Sequence, residues 1–256
     1  MEYNYHTHTV RCRHASGTER EYIENAIAAG MKELGFSDHV PYPFSDGYYS
    51  NFRMYVEQTE EYAATLSELR EAYRGKIHIK IGYEAEYYPL FFENMLKLIS
   101  KYECDYLILG QHFIENEITR KYSGITTQDE AYLRQYVDQT CEGMKTGVFT
   151  YFAHPDLVNY TGDDGIYERE YSRLIGCAID CNVPLEINLL GVRDHRNYPH
   201  DKFFALCGRM GAPVCIGSDA HTADTVSDDA SYAKALDMCA RYNLKLVKSP
   251  ALRPVQ

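Results

Sequence analysis

The chain has no tryptophan, no cysteine pair in C-x-x-C spacing, no long apolar run and no excess of positive charge. Each absence excludes something. A membrane span needs about 18 consecutive apolar residues, and no stretch approaches that. The eight cysteines stand at positions 12, 104, 141, 177, 181, 207, 215 and 239, and several lie inside apolar runs, as Cys215 does in Pro-Val-Cys-Ile-Gly. They read as reduced, mostly buried thiols, not as a zinc knuckle or a disulfide framework. The start, Met1-Glu-Tyr-Asn-Tyr-His, has no basic segment followed by an apolar one, so no signal peptide and a cytoplasmic location are expected. Twenty-six Lys and Arg stand against 37 Asp and Glu, a formal charge of -11. A nucleic acid would find no positive footprint on such a surface. The acidity serves solubility and is compatible with a cationic small substrate. No Pro/Ser/Gly-rich linker, charge block or short-period repeat divides the chain, so one domain over residues 1–256 is expected. Nothing in the pattern fixes an oligomeric state.

What is present is an alternation. Hydrophobic residues make up 45% and charged residues 25% of 256 residues, which suits one large α/β unit. Short apolar runs alternate with longer amphipathic segments, the mark of repeated βα units. The pattern predicts strands over 1–6, 34–36, 76–82, 106–109, 148–153, 185–188 and 213–217, and a final extended piece at 244–247. It predicts helices over 18–29, 54–73, 90–101, 128–146, 168–181, 203–210 and 231–242. Thr18-Glu-Arg-Glu21 reads as a capping box and Gly30 as a stop. Residues 40–53 and 115–127 read as loops. Twenty-four tyrosines suit a core or a polar pocket.

The informative feature is the run of residues at the end of each strand. In order these are His6-Thr-His8, Ser37-Asp-His39, Gly82-Tyr-Glu84, Gly110-Gln-His112, Ala153-His-Pro155, Glu186-Ile-Asn188 and Gly217-Ser-Asp-Ala-His221. Every strand delivers an imidazole, a carboxylate or an amide at its C-terminal end. In a parallel barrel those ends converge on one face. His-x-His at a strand end puts both rings on one side, because side chains alternate. Asp219-Ala-His221 repeats that spacing with mixed donors. Imidazole and carboxylate are the donors that Zn, Mn and Fe take, and a carboxylate among histidines suits a bridge between two ions. A lone His-x-His or a lone histidine such as His112 would carry little weight; seven strand ends together point to metal. His78, His195 and His200 do not fit the pattern and are read as non-ligands.

These motifs, with His14 and Ala153-His-Pro-Asp156, resemble the polymerase and histidinol phosphatase (PHP) superfamily over nearly the whole chain. Within it they are most similar to the histidinol-phosphate phosphatases, as are the Glu186-Ile-Asn-Leu-Leu-Gly-Val-Arg193 stretch with Tyr198-Pro199 and the Tyr- and Pro-rich loop holding Phe52-Arg53. The resemblance implies a single-domain distorted (β/α)7 barrel with three divalent ions, Zn, Mn or Fe. It implies that His6 and His8 hold the first ion with Glu84 and Asp219. Glu84 would bridge to a second ion held by His112 and His154, and His14, His39 and His221 would hold the third. Glu86, in phase with Glu84, is a fallback ligand. Gln111 stands where many relatives carry a small hydroxyl residue.

The implied reaction is in-line hydrolysis of L-histidinol phosphate, a small phosphate ester, in histidine biosynthesis. Positioning and charge stabilisation do most of such work. Glu84, Asp219 and His221 are the expected catalytic groups, with Asp219 or His221 as candidates to protonate the leaving alkoxide. Arg193 is the first choice for the phosphate clamp, with Arg53 and Arg120 behind it. Glu115, Glu117 and Asp194 are expected to rim the mouth and suit a cationic substrate. Two other readings compete. One is a PHP-type enzyme for a nucleotide, a phosphotyrosine or a phosphodiester. The other is a metal-stabilised module without catalysis.

Overall fold

The computed structural model describes residues 1–44, 47–118 and 122–255. In chain order the elements are β1 (Tyr3–Asn4), α1 (Glu19–Ala28), β2 (Glu33–His39), α2 (Thr59–Ala72), β3 (His78–Ala85), α3 (Phe92–Ile99), β4 (Tyr106–Leu109), β5 (Thr126–Thr127), α4 (Glu130–Lys145), β6 (Phe149–Phe152), β7 (Asn159–Tyr160), α5 (Asp164–Asp180), β8 (Leu185–Asn188), α6 (Leu189–Arg193), α7 (Asp201–Met210), β9 (Pro213–Gly217), α8 (Asp229–Arg241) and β10 (Lys245–Leu246). All strand pairs are parallel, in the order β1-β2-β3-β4-β6-β8-β9-β10. Parallel neighbours need crossover connections, and the helices between successive strands supply them.

The sheet curls until its ends meet. Thr7 bridges Ala220 in parallel register, with His8 N donating to Ala220 O at 2.9 Å and Ala220 N to His6 O at 3.2 Å. That seam lies just past the C-terminal ends of β1 and β9. At the opposite end of β9, β10 pairs with Pro213 and Val214. The barrel therefore has seven strands around its wall and an eighth short strand at its base. Among the described residues no helix is long and apolar enough to cross a membrane.

Alternation along the strands separates two cores. Leu107 and Leu109 of β4 face outward into the layer between sheet and helices, where Phe36, Ile81, Phe149 and Phe152 also lie. Tyr106 and Ile108 face the barrel interior with Tyr5, Tyr151, Ala153 and Cys215. Tyr106 lies so close to Gly82 that a Cβ there would overlap its ring. Buried tyrosines close hydrogen bonds that an all-apolar core would leave open. Tyr106 OH donates to Tyr5 O (2.9 Å), Tyr62 OH to Gly82 O (2.9 Å), and Tyr171 OH to Val158 O (3.1 Å). This is a physical use for a tyrosine-rich, tryptophan-free composition.

The C-terminal segment straps the base. Val247 N donates to Val214 O, Arg253 N to Thr150 Oγ1, and Val255 N to Cys104 O. The Arg253 guanidinium binds the carbonyls of Gly147, Cys181 and Asn182.

Local expectations hold with adjustments. Thr18 and Glu21 form the reciprocal capping box. α5 starts at Asp164, earlier than its apolar periodicity suggests, because Asp163 caps it by accepting from Ile166 N. The 54–73 segment opens with a 3-10 turn before α2. The 115–127 loop ends in β5, which pairs with β7 in a two-stranded ribbon.

Candidate metal centre

The strand ends bring nine side chains to one place. His6 and His8 follow β1, His39 ends β2, Glu84 lies in β3, His112 follows β4, His154 follows β6, and Asp219 and His221 follow β9. His14 joins from the loop before α1, its Nε2 3.0 Å from His221 Nε2. Glu84 stands at the middle. Its Oε1 is 2.9 Å from His154 Nε2 and 3.6 Å from His112 Nε2. Its Oε2 is 3.0 Å from His39 Nδ1, 3.6 Å from His8 Nε2 and 3.7 Å from His6 Nε2. Asp219 Oδ1 lies 3.2 Å from His8 Nε2, 3.5 Å from His6 Nε2 and 3.3 Å from His221 Nδ1.

Whether this set suits metal ions is decided by its unpaired atoms. Buried polar atoms are normally hydrogen-bonded, and an orphan costs about 1–3 kcal/mol. Here His6 Nε2, His8 Nε2, His39 Nδ1, Glu84 Oε2 and Asp219 Oδ1 are all buried with no hydrogen-bond partner. Neighbouring atoms among them stand 3.0 to 3.7 Å from one another. Donor atoms of His6, His8 and Asp219 lie within 4.8 Å of one another; so do those of His6, Glu84 and His154, and those of His14, His39 and His221. Imidazole nitrogens and carboxylate oxygens in such triplets fit divalent cations.

An outer layer of acids fixes the rings. Glu186 Oε1 takes His6 Nδ1 at 2.8 Å, and its Oε2 accepts from His154 N at 3.1 Å. Glu86 Oε1 takes His112 Nδ1 at 2.7 Å, and Asp38 Oδ1 lies 3.5 Å from His8 Nδ1. The Glu186 and Glu86 bonds set the tautomers of His6 and His112 and leave the other nitrogen of each free to bind. Asn188 ties this layer to the inner one, donating to Glu186 Oε2 (2.9 Å) and Asp219 Oδ2 (3.0 Å).

The backbone bends to fit. His154 (φ 34°) and Asp219 (φ 47°) adopt positive φ, which costs a non-glycine residue about 1–3 kcal/mol. A Cβ at Gly110 would fall on Glu84 Oε1, and one at Gly217 on Glu186 Oε1. Only glycine lets those carboxylates lie against the wall.

Charge follows from this packing. Burial alone would push Glu84 and Asp219 up. The imidazoles outweigh it, His112, His39 and His6 at Glu84 and His6 and His8 at Asp219, and hold both carboxylates well below the usual range. Burial opposes charge on His6 and His8 too, but their carboxylate neighbours raise both, His8 to about 9. His39 and His221 sit lower, driven first by burial, with His221 at about 3.

A cavity of about 370 Å³ opens over the cluster. Beyond the clustered histidines and acids it is lined by Phe52, Phe113, Tyr122, Leu190, Asp194, Arg196 and Tyr198. The structure moves several expected substrate contacts. Arg193 ends α6 and turns away, its Nη1 3.1 Å from Asp228, whereas Arg196 lines the cavity with its Nη1 3.0 Å from Tyr198 OH. Arg53 is buried behind the wall, between Glu86 and Glu117, both at 2.6 Å. That pairing also takes Glu117 off the rim, where it was expected, while Glu115 is exposed. Arg120 lies outside the described residues. Glu86, the fallback ligand, spends an oxygen on His112 and Arg53 instead. Gln111 pins backbone, accepting from Tyr87 N and donating to Phe113 O. Glu186, placed by the sequence in the strand 185–188 and at its polar end but given no role of its own, is an inward-facing residue of β8 that reaches His6 and the His154 backbone.

A family model for the PHP domain matches residues 4–190. A histidinol-phosphatase from Bacillus subtilis is 31% identical over 266 residues, covering 91% of this chain and 98% of that protein. A probable histidinol-phosphatase from Deinococcus radiodurans is 28% identical over 225 residues, covering 84% and 85%. Among solved structures, a histidinol phosphate phosphatase from Lactococcus lactis, complexed with zinc, L-histidinol and phosphate, superposes with a TM-score of 0.76 at 20% identity, covering 100% and 99%.

Proposed function

The chain belongs to the PHP domain family, and from that premise we propose that it is a metal-dependent phosphomonoesterase hydrolysing L-histidinol phosphate to L-histidinol and phosphate. The observation that carries this reading is the ring of buried, unpartnered nitrogens and oxygens facing one small cavity. The name of the B. subtilis relative, aligned over most of both chains, supports the substrate, and so do the L-histidinol and phosphate of the L. lactis complex.

The residues divide the work. His6, His8 and Asp219 hold one ion, and Glu84 Oε2 faces the same group. His112 and His154 hold a second against Glu84 Oε1. His14, His39 and His221 hold a third at the solvent edge. Zn, Mn and Fe all suit this donor set. Bound divalent ions supply Lewis acidity, lowering the pKa of water and offsetting charge on phosphoryl oxygens. Glu84, with one oxygen toward each of two donor groups, would serve both of them. Its ionised state is secured by the imidazoles around it.

Arg196 is the phosphoryl clamp in this reading. Among the described residues it is the arginine on the cavity wall, and its planar fork matches phosphate oxygens. Phe52 and Phe113, 5.8 Å apart and nearly parallel, form an aromatic face for the imidazole ring of the substrate. Asp194, partly exposed at the rim, meets its ammonium group. A volume of about 370 Å³ suits a small ligand.

The test is phosphate release from L-histidinol phosphate by the purified chain, with Mn or Zn added and after chelation. A nucleoside monophosphate and an aryl phosphate run beside it. Metal-dependent release selective for histidinol phosphate is expected. Release from the other esters alone would overturn the substrate, and no release from any ester by metal-loaded protein would overturn the enzyme.

A further inference from the structure

Among the described residues Arg53 is the largest fully buried side chain, only 1% exposed, yet it lies in a loop and not in a regular element. A guanidinium withdrawn from water is costly unless it is paired and its donors are used. Arg53 uses its donors on Glu86 Oε1 and Glu117 Oε2 (2.6 Å each), Tyr88 OH (3.3 Å) and Val40 O (3.3 Å). The faces of Phe52 and Tyr42 cover it at 4.4 and 5.2 Å. One cation between two carboxylates leaves a negative charge over. The same Glu86 Oε1 also takes His112 Nδ1 at 2.7 Å. That hydrogen bond puts the imidazole proton on Nδ1 and leaves Nε2 bare toward Glu84 Oε1, 3.6 Å away. Phe52, next to Arg53 in the chain, meets His39 edge-on at 5.3 Å and stacks on Phe113 in the cavity wall.

We propose that Arg53 is a positioning residue: through Glu86 it holds the His112 ring and tautomer ready for one ion, and through its own anchorage it seats Phe52 against the substrate. The metal centre and the aromatic wall are thus set by one buried cation. The proposal rests on the reading of His112 as a metal ligand.

The experiment uses the full chain and the variants Glu86→Gln, Arg53→Met and Arg53→Lys, each checked for folding by circular dichroism. Cobalt(II) is titrated in against a competing chelator, and its visible absorption and the bound stoichiometry are followed. Removing such an outer partner weakens metal binding by about 10–100-fold. The expected result is a loss of that size at one binding step in Glu86→Gln and Arg53→Met, with the remaining steps unchanged. Arg53→Lys, which keeps the charge without the fork, recovers part of it. In steady-state assays Arg53→Met also raises KM, while Glu86→Gln acts mainly on kcat. Wild-type titration in a folded Glu86→Gln variant overturns the proposal, and so does equal weakening of every step. If Arg53→Met does not fold, Glu86→Gln and Arg53→Lys decide it. A wild-type chain that binds no cobalt fails at a different point, sinking the metal centre itself.

Discussion

The two ends of the barrel are built on the same strands and obey opposite rules. Along β4 the inward residues Tyr106 and Ile108 lead to His112; along β6 Tyr151 leads to His154; along β9 Cys215 leads to Asp219. At the base the hydroxyls of Tyr106 and Tyr5 find partners inside the protein. Tyr106 OH donates to Tyr5 O, and Tyr5 OH reaches Glu33 at 2.6 Å and Ser249 at 3.0 Å. At the mouth, buried nitrogens and oxygens face one another without partners. The base is a finished core under a strap, and the mouth is a frame of unpaired donors that suits cations. Stability and activity should therefore respond to different halves of the molecule.

The strongest break in that division is Glu84→Gln. Bound ions contribute several kcal/mol to transition-state charge stabilisation, which corresponds to about 10³-fold in rate. The variant should lose activity on that scale and bind fewer ions by elemental analysis, while circular dichroism stays native. Chelation should cut next deepest. Ions that bind the folded state alone stabilise it by about 2.7 kcal/mol at a hundred times Kd, so a stripped protein should melt earlier and recover on adding Mn or Zn. A scan in which chelation leaves the melting temperature unchanged would erase the contrast between the two ends.

Protonation sharpens it further. Without metal, His8 titrates at about 9, so at neutral pH it carries a proton that a cation must expel. Metal binding should release acid, and affinity should fall as pH drops below about 9. Calorimetry in buffers of different ionisation enthalpy reads this directly; an affinity flat from pH 6 to 9 would contradict it. At the base, Arg253→Ala removes donors to three backbone carbonyls and should cost about 1–2 kcal/mol. Tyr106→Phe strips one buried hydrogen bond and should cost about 1 kcal/mol. Urea unfolding measures both, and kcat should remain at the wild-type value in each.

The inner donors are legible in the sequence because each follows an apolar run long enough to read as a strand, and parallel strands leave their ends no other place to go. The roles of the acids behind them are harder to read. Glu86 sits two residues after Glu84 and shares its phase, but only three dimensions show its carboxylate on the far side of the His112 ring. The arginines resist for another reason. Arg193 closes a five-residue helix and Arg196 follows it by three residues. No periodicity carries past a helix end, so nothing in the order of residues tells which turns to Asp228 and which to the cavity. Arg53 reads as a lesser phosphate candidate until its two carboxylates, Glu86 on β3's exit and Glu117 beyond β4, are seen to converge on it. The β5–β7 ribbon is two residues wide and has no alternation to detect.

The seam between Thr7 and Ala220 has a consequence in time as well as space. His6 and His8 are made before Asp219 and His221, and the donor group of His6, His8 and Asp219 exists only when the two edges of the sheet have met. A nascent chain can build β2, β3 and β4 long before that. An ion held there, as proposed, would be taken up only after Asp219 has been made, and its uptake would mark the closure of the sheet.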